Sequence, residues 1–343
     1  MKWQALLTVF SLFLTLTTSQ TCDFFTGSWR FDDTYPLYDS ALSPFVERQF
    51  RCSKNGRPDA LYTKYRWQPE ACTLRRFNGR ELMERYRGKK IMFVGDSLSK
   101  NQWQSLTCML YSSDPTSNYT SSTINGVTTF SFTEYDLEIN YNRNMYLVDI
   151  ESSKSGRVLD LDSINGGKLW IGNDVLIFNT WHWWNRRGPS QPWDYIKVGN
   201  ETLKDMNRVW AFERALRTWA SWVRANVNPE KTLTFYQGVS PSHYNGSQWG
   251  EPKVMTCKGQ VVPVSGSRYP GGVPEAVGVM KRVLKSVNDK VTLLDITELS
   301  SMRKDGHPSV YGFGGLNSTD CSHWCLAGVP DTWNEILYNY MVH

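Results

Sequence analysis

Four short apolar runs mark the chain beyond residue 90. They are Ile91-Met92-Phe93-Val94, Val175-Leu176-Ile177-Phe178, Leu233-Thr234-Phe235-Tyr236 and Val291-Thr292-Leu293-Leu294. Continuous apolar runs of this length are typical of strands buried on both faces of a parallel sheet. Ligands bind at the carboxyl ends of such strands, and polar motifs follow these runs. The pattern therefore directs the search for a site to the residues just after each run.

Helical patterns accompany these runs. Between residues 203 and 227 apolar positions recur every three or four residues, which predicts an amphipathic helix ended by Asn228-Pro229. Residues 275–287 and 99–110 also have helical patterns. In the helix predicted between residues 203 and 227, the apolar positions are Met206, Val209, Phe212, Leu216, Trp219 and Val223. Strands that alternate with helices predict an α/β fold, a three-layer α/β/α sandwich around a parallel sheet.

The N-terminal part has a different pattern. Residues 1–19 combine Lys2, an apolar stretch and small polar residues, which is typical of a signal peptide. The stretch is short against the roughly twenty apolar residues of a membrane span, and an uncleaved anchor is the alternative. Residues 20–88 lack long periodic segments and carry three cysteines, which predicts a loop-rich minor lobe. The main α/β domain is then residues 89–343.

Composition narrows the functional class. The 343 residues carry 38 Lys and Arg against 33 Asp and Glu, and this small, dispersed excess does not fit a nucleic-acid-binding protein. Fifteen Trp suit a ligand with apolar faces and hydroxyl groups, such as a sugar. Seven cysteines without a second Cys/His cluster favour disulfides over a metal site, and the odd count leaves one thiol. Four glycosylation sequons agree with the secretory pathway: Asn118, Asn200, Asn245 and Asn317.

The first apolar run ends in Gly95-Asp96-Ser97-Leu98, directly before a predicted helix. A serine at a helix N-terminus has backbone N–H groups and the positive end of the helix dipole near its oxygen. Such a serine can act as a nucleophile, with part of an oxyanion hole already in place. The alternative is an ordinary turn in which Ser97 caps the helix.

A second string lies near the C-terminus, in Asp320-Cys321-Ser322-His323-Trp324-Cys325. An aspartate three residues before a histidine can orient the imidazole, and an oriented imidazole can activate a serine. Flanking cysteines would hold this turn rigid. We therefore predict the triad Ser97, His323 and Asp320, against the alternative of a disulfide-anchored loop with an incidental Asp and His.

These two strings resemble those of the GDSL/SGNH hydrolase superfamily. The rest of the chain resembles one branch of it, the plant trichome birefringence-like proteins, which are wall-polysaccharide O-acetyltransferases of the PC-esterase group. The matching stretches are 22–29, 35–38, 55–59, 65–69, 178–184, 240–243, 303–309, 320–325 and 331–333. The resemblance implies an SGNH-like α/β/α lobe with a minor N-terminal lobe, and a triad that passes an acetyl group to a sugar hydroxyl without a metal.

The resemblance also implies a pattern of cysteine pairing. Relatives usually have eight cysteines, and this chain has Ser43 where one of them stands. The implied pairs are Cys22–Cys72, Cys52–Cys325 and Cys257–Cys321. Cys108 is left as a thiol, and we interpret it as buried and inert rather than as a redox switch.

Further residues are candidates for the site. Asn179 follows the second run, where an SGNH protein places an oxyanion donor, although a turn residue is the alternative. His182, Trp183 and Trp184 could contact a carbohydrate, or pack as core residues. Arg66 and Trp67 of the minor lobe could line the same cleft. His243 and His307 have no assigned mechanism.

Three functions remain open. The first is an O-acetyltransferase acting on a plant cell-wall polysaccharide, with pectin or xylan as the acceptor. The second is an acetylesterase that removes acetyl groups through the same acyl-serine. The third is a non-catalytic, pectin-binding wall protein with a vestigial triad. We expect a monomer without a bound cofactor, supplied by an acetyl donor of unknown identity or by a donor-supplying membrane protein. We expect it in the Golgi lumen, with the apoplast as the alternative.

Overall fold

The computed structural model describes residues 22–313 and 318–342. The predicted signal peptide and the sequon at Asn317 lie outside these residues. The strands are β1 (Gly27–Phe31), β2 (Tyr65–Pro69), β3 (Lys90–Gly95), β4 (Tyr119–Ile124), β5 (Val127–Phe132), β6 (Leu137–Arg143), β7 (Asp149–Ser153), β8 (Gly156–Asp160), β9 (Val175–Phe178), β10 (Tyr195–Val198), β11 (Glu201–Leu203), β12 (Leu233–Gln237) and β13 (Thr292–Leu294). The α-helices are α1 (Gly79–Arg85), α2 (Ser97–Ser113), α3 (Arg208–Asn226), α4 (Glu275–Leu284), α5 (Thr297–Ser301) and α6 (Val329–Val342).

The main sheet has seven strands in the order β13-β12-β9-β3-β6-β5-β4. The first five run parallel, and β5 and β4 form an antiparallel edge. All four predicted apolar runs are parallel strands of this sheet. The register pairs Val94 with Phe178 and Gly95 with Arg143, so the carboxyl ends of β9, β3 and β6 lie side by side.

The core lies on both faces of this sheet. Met92 and Val94 of β3 pack into a cluster with α3 and α4, whereas Ile91 and Phe93 pack on the other face with α1, α2 and α6. This alternation explains the uninterrupted apolar run, because both side-chain directions of the strand are buried. The α/β sandwich predicted from the sequence is confirmed.

Some element boundaries differ from the predicted ones. Helix α2 begins at Ser97 rather than at residue 99, and α3 begins at Arg208 rather than at residue 203. The later start of α3 follows from Asn207, whose side chain accepts the N–H groups of Val209 and Trp210 and caps the helix there. Strands β4, β5 and β6 of the main sheet and helices α1, α5 and α6 were not predicted.

The minor lobe is held by few regular elements and by disulfides. Strands β1 and β2 of this lobe pair antiparallel. Outside the lobe, strands from residues 149–203 form a separate four-stranded sheet in the order β11-β10-β8-β7. The disulfides are Cys22–Cys72, Cys52–Cys325 and Cys257–Cys321, the same pairs that the resemblance implies, and Cys108 is a buried thiol. Among the described residues no helix is both long and apolar enough to cross a membrane.

Candidate active site

The turn after β3 places a serine at the start of a helix. Asp96 is the N-cap, because its Oδ1 accepts the N–H of Leu98 at 2.9 Å. Ser97 is therefore the first helical residue and not the cap. Its hydroxyl is free for chemistry, and its own N–H belongs to the first helical turn, where no intrahelical carbonyl is available.

Asn179, which follows β9, stabilises this turn through hydrogen bonds. Its Oδ1 accepts the N–H of Asp96 at 3.2 Å and the hydroxyl of Ser99 at 3.0 Å. The backbone oxygen of Asn179 would lie 2.5 Å from a Cβ at Gly95, so only glycine fits there. Asn179 is 2% exposed. Its Oδ1 only accepts, so the group that could donate to an oxyanion is its amide NH₂. That role stays a prediction.

The opposite wall of the site is the loop of residues 320–325. Asp320 forms an antiparallel bridge with Ser309, and two disulfides fix the loop at Cys321 and Cys325. Asp320 Oδ1 accepts the N–H groups of Ser322 at 3.0 Å and of His323 at 3.1 Å. This carboxylate therefore organises the loop on which His323 lies.

The two walls meet at a chain of hydrogen bonds. His323 Nε2 lies 2.7 Å from Ser97 Oγ, and His323 Nδ1 lies 2.7 Å from Asp320 Oδ2. Burial alone would raise the pKa of Asp320, but the hydrogen bonds from His323 and from the loop N–H groups outweigh it and lower that pKa below its usual value. The ionised carboxylate accepts a hydrogen bond from the Nδ1–H group, which keeps that proton on Nδ1 and leaves the Nε2 lone pair directed at the serine hydroxyl. The three residues predicted from the sequence are thus brought together.

A cleft of about 650 Å³ opens above this chain of hydrogen bonds. Ser97 and His323 lie in its wall together with Trp181, His182 and Trp183. The ring of Trp183 lies near two guanidinium groups, 5.7 Å from Arg143 and 5.1 Å from Arg186. Flat rings beside hydrogen-bonding cations are suited to polar ligands with apolar faces.

His182 lies in the cleft but its ring is anchored. Its Nε2 lies 2.8 Å from the carbonyl oxygen of Ser240, which can only accept, so Nε2 carries the proton. Burial lowers the pKa of His182, so the ring is neutral and its Nδ1 is an acceptor. Contact between His182 and a ligand stays a prediction.

Three residues predicted to bind substrate do not line the cleft. Trp184 is fully buried in the core and donates its indole N–H to Thr180. Trp67 is buried and donates its indole N–H to the Phe24 carbonyl, and Arg66 pairs with Asp32. Placing them in the cleft was wrong, because an aromatic or arginine beside a motif need not point the same way as the motif.

The sequence reasoning missed part of the cleft wall. Arg143 stands at the carboxyl end of β6, next to β3, and Lys100 lies one turn into α2 from Ser97. Gln49, Ser240 and Tyr244 also line the cleft. The available signal was the i, i+3 spacing of Ser97 and Lys100, which puts both on one face of a helix.

Comparison with known proteins places the chain in a family. Residues 74–340 match the model described as PC-Esterase, the GDSL/SGNH-like acyl-esterase family found in Pmr5 and Cas1p. The chain is 61% identical over 322 residues to trichome birefringence-like 41 of Arabidopsis thaliana. The aligned region covers 94% of this chain and 90% of that protein. The chain belongs to the trichome birefringence-like family.

Two further comparisons support the trichome birefringence-like assignment. Residues 20–73 match the PMR5 N-terminal domain. Trichome birefringence-like 43 of Arabidopsis thaliana is 51% identical over 94% of this chain and 88% of its own length, and trichome birefringence-like 38 is 52% identical over 92% and 83%. The resemblance noted in the sequence is confirmed. The acyl-esterase family description indicates an activity that hydrolyses or transfers acyl esters.

Proposed function

We propose that the protein is an O-acetyltransferase that moves an acetyl group through acetyl-Ser97 onto a hydroxyl of a plant cell-wall polysaccharide. The observation that carries the proposal is the chain of 2.7 Å hydrogen bonds from Asp320 through His323 to Ser97, at the wall of a cleft of about 650 Å³. Catalysis by this route requires a nucleophile, a base and a group that orients the base, and we assign these roles to Ser97, His323 and Asp320.

In the first half-reaction Ser97 Oγ attacks the acetyl carbonyl of the donor ester while His323 Nε2 takes the serine proton. The tetrahedral oxyanion is stabilised by the Ser97 N–H at the start of α2 and, as a further candidate, by the Asn179 amide. Collapse breaks the bond to the leaving alcohol, which takes the proton from His323. The products are acetyl-Ser97 and the free donor alcohol.

In the second half-reaction a sugar hydroxyl attacks acetyl-Ser97. His323 Nε2 takes the hydroxyl proton and returns it to Ser97 Oγ as the acyl–serine bond breaks. The products are the acetylated sugar and the free enzyme. Water in place of the sugar gives the acetylesterase reaction, so the acceptor decides between the two activities.

The charge of the cleft favours an acidic polymer as acceptor. Of the described residues that line it, Lys100, Arg143 and Arg186 are cations and none is an aspartate or glutamate. Lys100 is paired with Glu47, whereas both arginines lie against Trp183. Uronate groups would find cations here, and this supports pectin over the neutral backbone of xylan.

Disulfides and sequons support a place in the secretory pathway. Three disulfides require an oxidising compartment, and Asn118, Asn200 and Asn245 are exposed. A transferase acts where polymers are made, and we therefore propose the Golgi lumen. The donor is an acetyl ester or a membrane protein that supplies one, and no cofactor is part of the mechanism.

The test uses the glycosylated protein with a chromogenic acetyl ester as donor and deacetylated oligogalacturonides or xylo-oligosaccharides as acceptors. Mass spectrometry detects acetylated oligosaccharide and free acetate. Ser97→Ala is compared with Ser155→Ala, a change at an exposed residue of the β7–β8 turn. We expect acetylated oligogalacturonide with the wild type and Ser155→Ala, and none with Ser97→Ala.

Each other result has a defined meaning. Free acetate alone, dependent on Ser97 and formed in the presence of good acceptors, would replace the transferase with the acetylesterase. Acetate or product unchanged by Ser97→Ala would remove the Ser97 mechanism and leave wall binding as the function. Preference for xylo-oligosaccharides would contradict the argument from the cations.

A further inference from the structure

Two buried histidines lie behind the loop that carries His323. His243 and His307 are at most 1% exposed, and their rings meet at 2.6 Å between His243 Nδ1 and His307 Nε2. The other nitrogen of each ring also has a partner. His243 Nε2 lies 2.7 Å from the Ser301 carbonyl oxygen, and His307 Nδ1 lies 2.6 Å from the His323 carbonyl oxygen. The two rings thus form one chain of three hydrogen bonds.

The hydrogen-bond partners of the two rings determine which of their four nitrogens carry protons. A carbonyl oxygen only accepts, so His243 Nε2 and His307 Nδ1 must both be protonated. In two neutral rings the remaining nitrogens would then both be unprotonated, and their lone pairs would face each other at 2.6 Å. A third proton between the rings removes this repulsion and completes all three hydrogen bonds. The pair then carries one positive charge.

The histidine pair contacts the catalytic loop at several points. The His307 ring stacks on the ring of Trp324, the residue after His323, at 4.0 Å between ring centroids. The backbone N–H of His243 donates to the Cys321 carbonyl at 2.9 Å. The pair therefore contacts the loop on both sides of His323. A change in its hydrogen bonds would be felt in the position of the His323 imidazole.

The surroundings of the pair set the direction of its pH response. Burial lowers the pKa of His243 to about 4, with Asp305 acting to raise it and Lys304 to lower it. Burial and the charge of His243 lower the pKa of His307, as does the charge of His323. The hydrogen bond to the His323 carbonyl and the charge of Asp320 act to raise it. The other facing groups are the Arg57 guanidinium on the His307 carbonyl and the rings of Trp249 and Tyr269. The third proton is therefore held in acid and released towards neutral pH.

We propose that His243 and His307 are positioning residues that share an additional proton at acidic pH. This proton closes the hydrogen bond between the two rings, which keeps His307 on the His323 carbonyl and His323 against Ser97. The proposal rests on the proposed function for its effect on activity. The proton itself is a property of the pair and does not depend on which reaction the site performs.

The variant His243→Asn separates the proton from the contact. An Asn side-chain NH₂ at the place of His243 Nδ1 donates to His307 Nε2 without an additional proton, and His307 Nδ1 still donates to His323. The measurement is the labelling rate of Ser97 by a fluorophosphonate probe from pH 4.5 to 8.5. We expect the wild-type rate to rise and then fall with pH, and the His243→Asn rate to rise to a plateau without the fall.

Imidazole ¹⁵N chemical shifts of the histidine-labelled protein test the proton directly. We expect three protonated nitrogens in the pair at pH 3.5 and two at pH 8. Two at pH 3.5, or three at pH 8, would overturn the proposal, as would a falling limb that persists in His243→Asn or is lacking in the wild type. If no form labels Ser97 at any pH, the proposed function fails, and the ¹⁵N shifts still decide the state of the pair.

Discussion

At the scale of single residues, the site depends on which hydrogen-bonding atoms are donors and which are acceptors. Asp320 uses Oδ1 to accept from the loop N–H groups and Oδ2 to accept from His323 Nδ1 at 2.7 Å. The side chain therefore both shapes the loop and selects the tautomer of His323. Asparagine has the same shape as aspartate but carries an NH₂ donor in place of one oxygen. In place of Asp320 it would keep the loop in shape and change the tautomer of His323.

Asp320→Asn is predicted to remove activity and to preserve the fold. The Asn NH₂ would donate to His323 Nδ1, which forces the proton onto Nε2 and leaves no acceptor for the Ser97 hydroxyl. We expect ester hydrolysis or probe labelling to fall by about 10³–10⁴-fold, the magnitude known for a wrong tautomer in a serine triad.

The control for Asp320→Asn is Asp194→Asn, which removes an exposed carboxylate paired with Arg157 at the surface. Both variants should melt within a few degrees of the wild type. A rate within tenfold of the wild type in Asp320→Asn would show that His323 does not act through the tautomer that Asp320 selects.

At the scale of elements, the apolar runs predicted four of the five parallel strands of the main sheet and missed β6, which is not apolar on both faces. Strand β6 alternates, with Ile139 and Tyr141 facing one core and Asn140 and Asn142 the other. Both asparagines are buried and hydrogen-bonded, Asn140 to Thr129 and Asn142 to the Trp170 indole. Such polar residues interrupt an apolar run, and only the fold supplies their partners. Arg143 at the end of β6 was missed for the same reason.

Helix α6 was missed because its buried face is also partly polar. Glu335 accepts the Tyr35 hydroxyl at 2.9 Å, and Asp331 accepts the Ser105 hydroxyl at 2.6 Å. The triad, in contrast, could be predicted, because each half is a contiguous string whose local spacing already brings its residues together. What the sequence could not supply was the direction of side chains such as Trp67 and Trp184.

The two acids of α6 give the protein a pH-dependent stability. Burial raises the pKa of Glu335 and of Asp331 to about 7 each, against the hydrogen bonds that they accept. In the unfolded chain carboxyl groups titrate near pH 4, so between about pH 4 and 7 the native state binds more protons. The contribution of these acids to stability is present in acid and is lost as the pH rises through 7.

Glu335→Gln is predicted to reduce this pH dependence. The amide oxygen still accepts from the Tyr35 hydroxyl, and the group no longer titrates. We expect the free energy of unfolding in urea to fall less steeply between pH 5 and 7, by up to about 1.4 kcal/mol per pH unit. Glu230→Gln, at an exposed position, serves as the control and should keep the wild-type slope. An unchanged slope in Glu335→Gln would show that Glu335 is ionised throughout this range.

At the scale of the whole molecule, one disulfide joins the minor lobe to the catalytic loop. Cys52–Cys325 links residues 273 positions apart and ends two residues after His323. The minor lobe is thereby tied to the residue that must activate Ser97. The lobe thus contributes to the site through this disulfide and through Gln49, which lines the cleft, although Arg66 and Trp67 do not reach it.

A further link between the lobe and α2 is absent from this chain, and one substitution is predicted to restore it. Ser43 and Cys108 are both fully buried, and the environment of the Cys108 thiol includes the Ser43 hydroxyl. Burial raises the pKa of Cys108, which keeps the thiol protonated and unreactive. Apart from its contact with the Cys108 thiol, Ser43 Oγ has no hydrogen-bond partner among the described residues. Replacing Ser43 with cysteine would therefore lose only that contact, which the new disulfide replaces.

Ser43→Cys should therefore form a fourth disulfide, with Cys108, when the protein is made in an oxidising compartment. Closing a loop of this length restricts the unfolded chain and should stabilise the protein by about 3–4 kcal/mol, a gain that a reductant removes. Thiol titration of the denatured protein should find one thiol per wild-type chain and none in the variant. Ser43→Ala separates the effect of the bridge from that of removing a buried hydroxyl. If Ser43→Cys retains two thiols or melts no higher than Ser43→Ala, the two positions do not meet in the geometry that a disulfide requires.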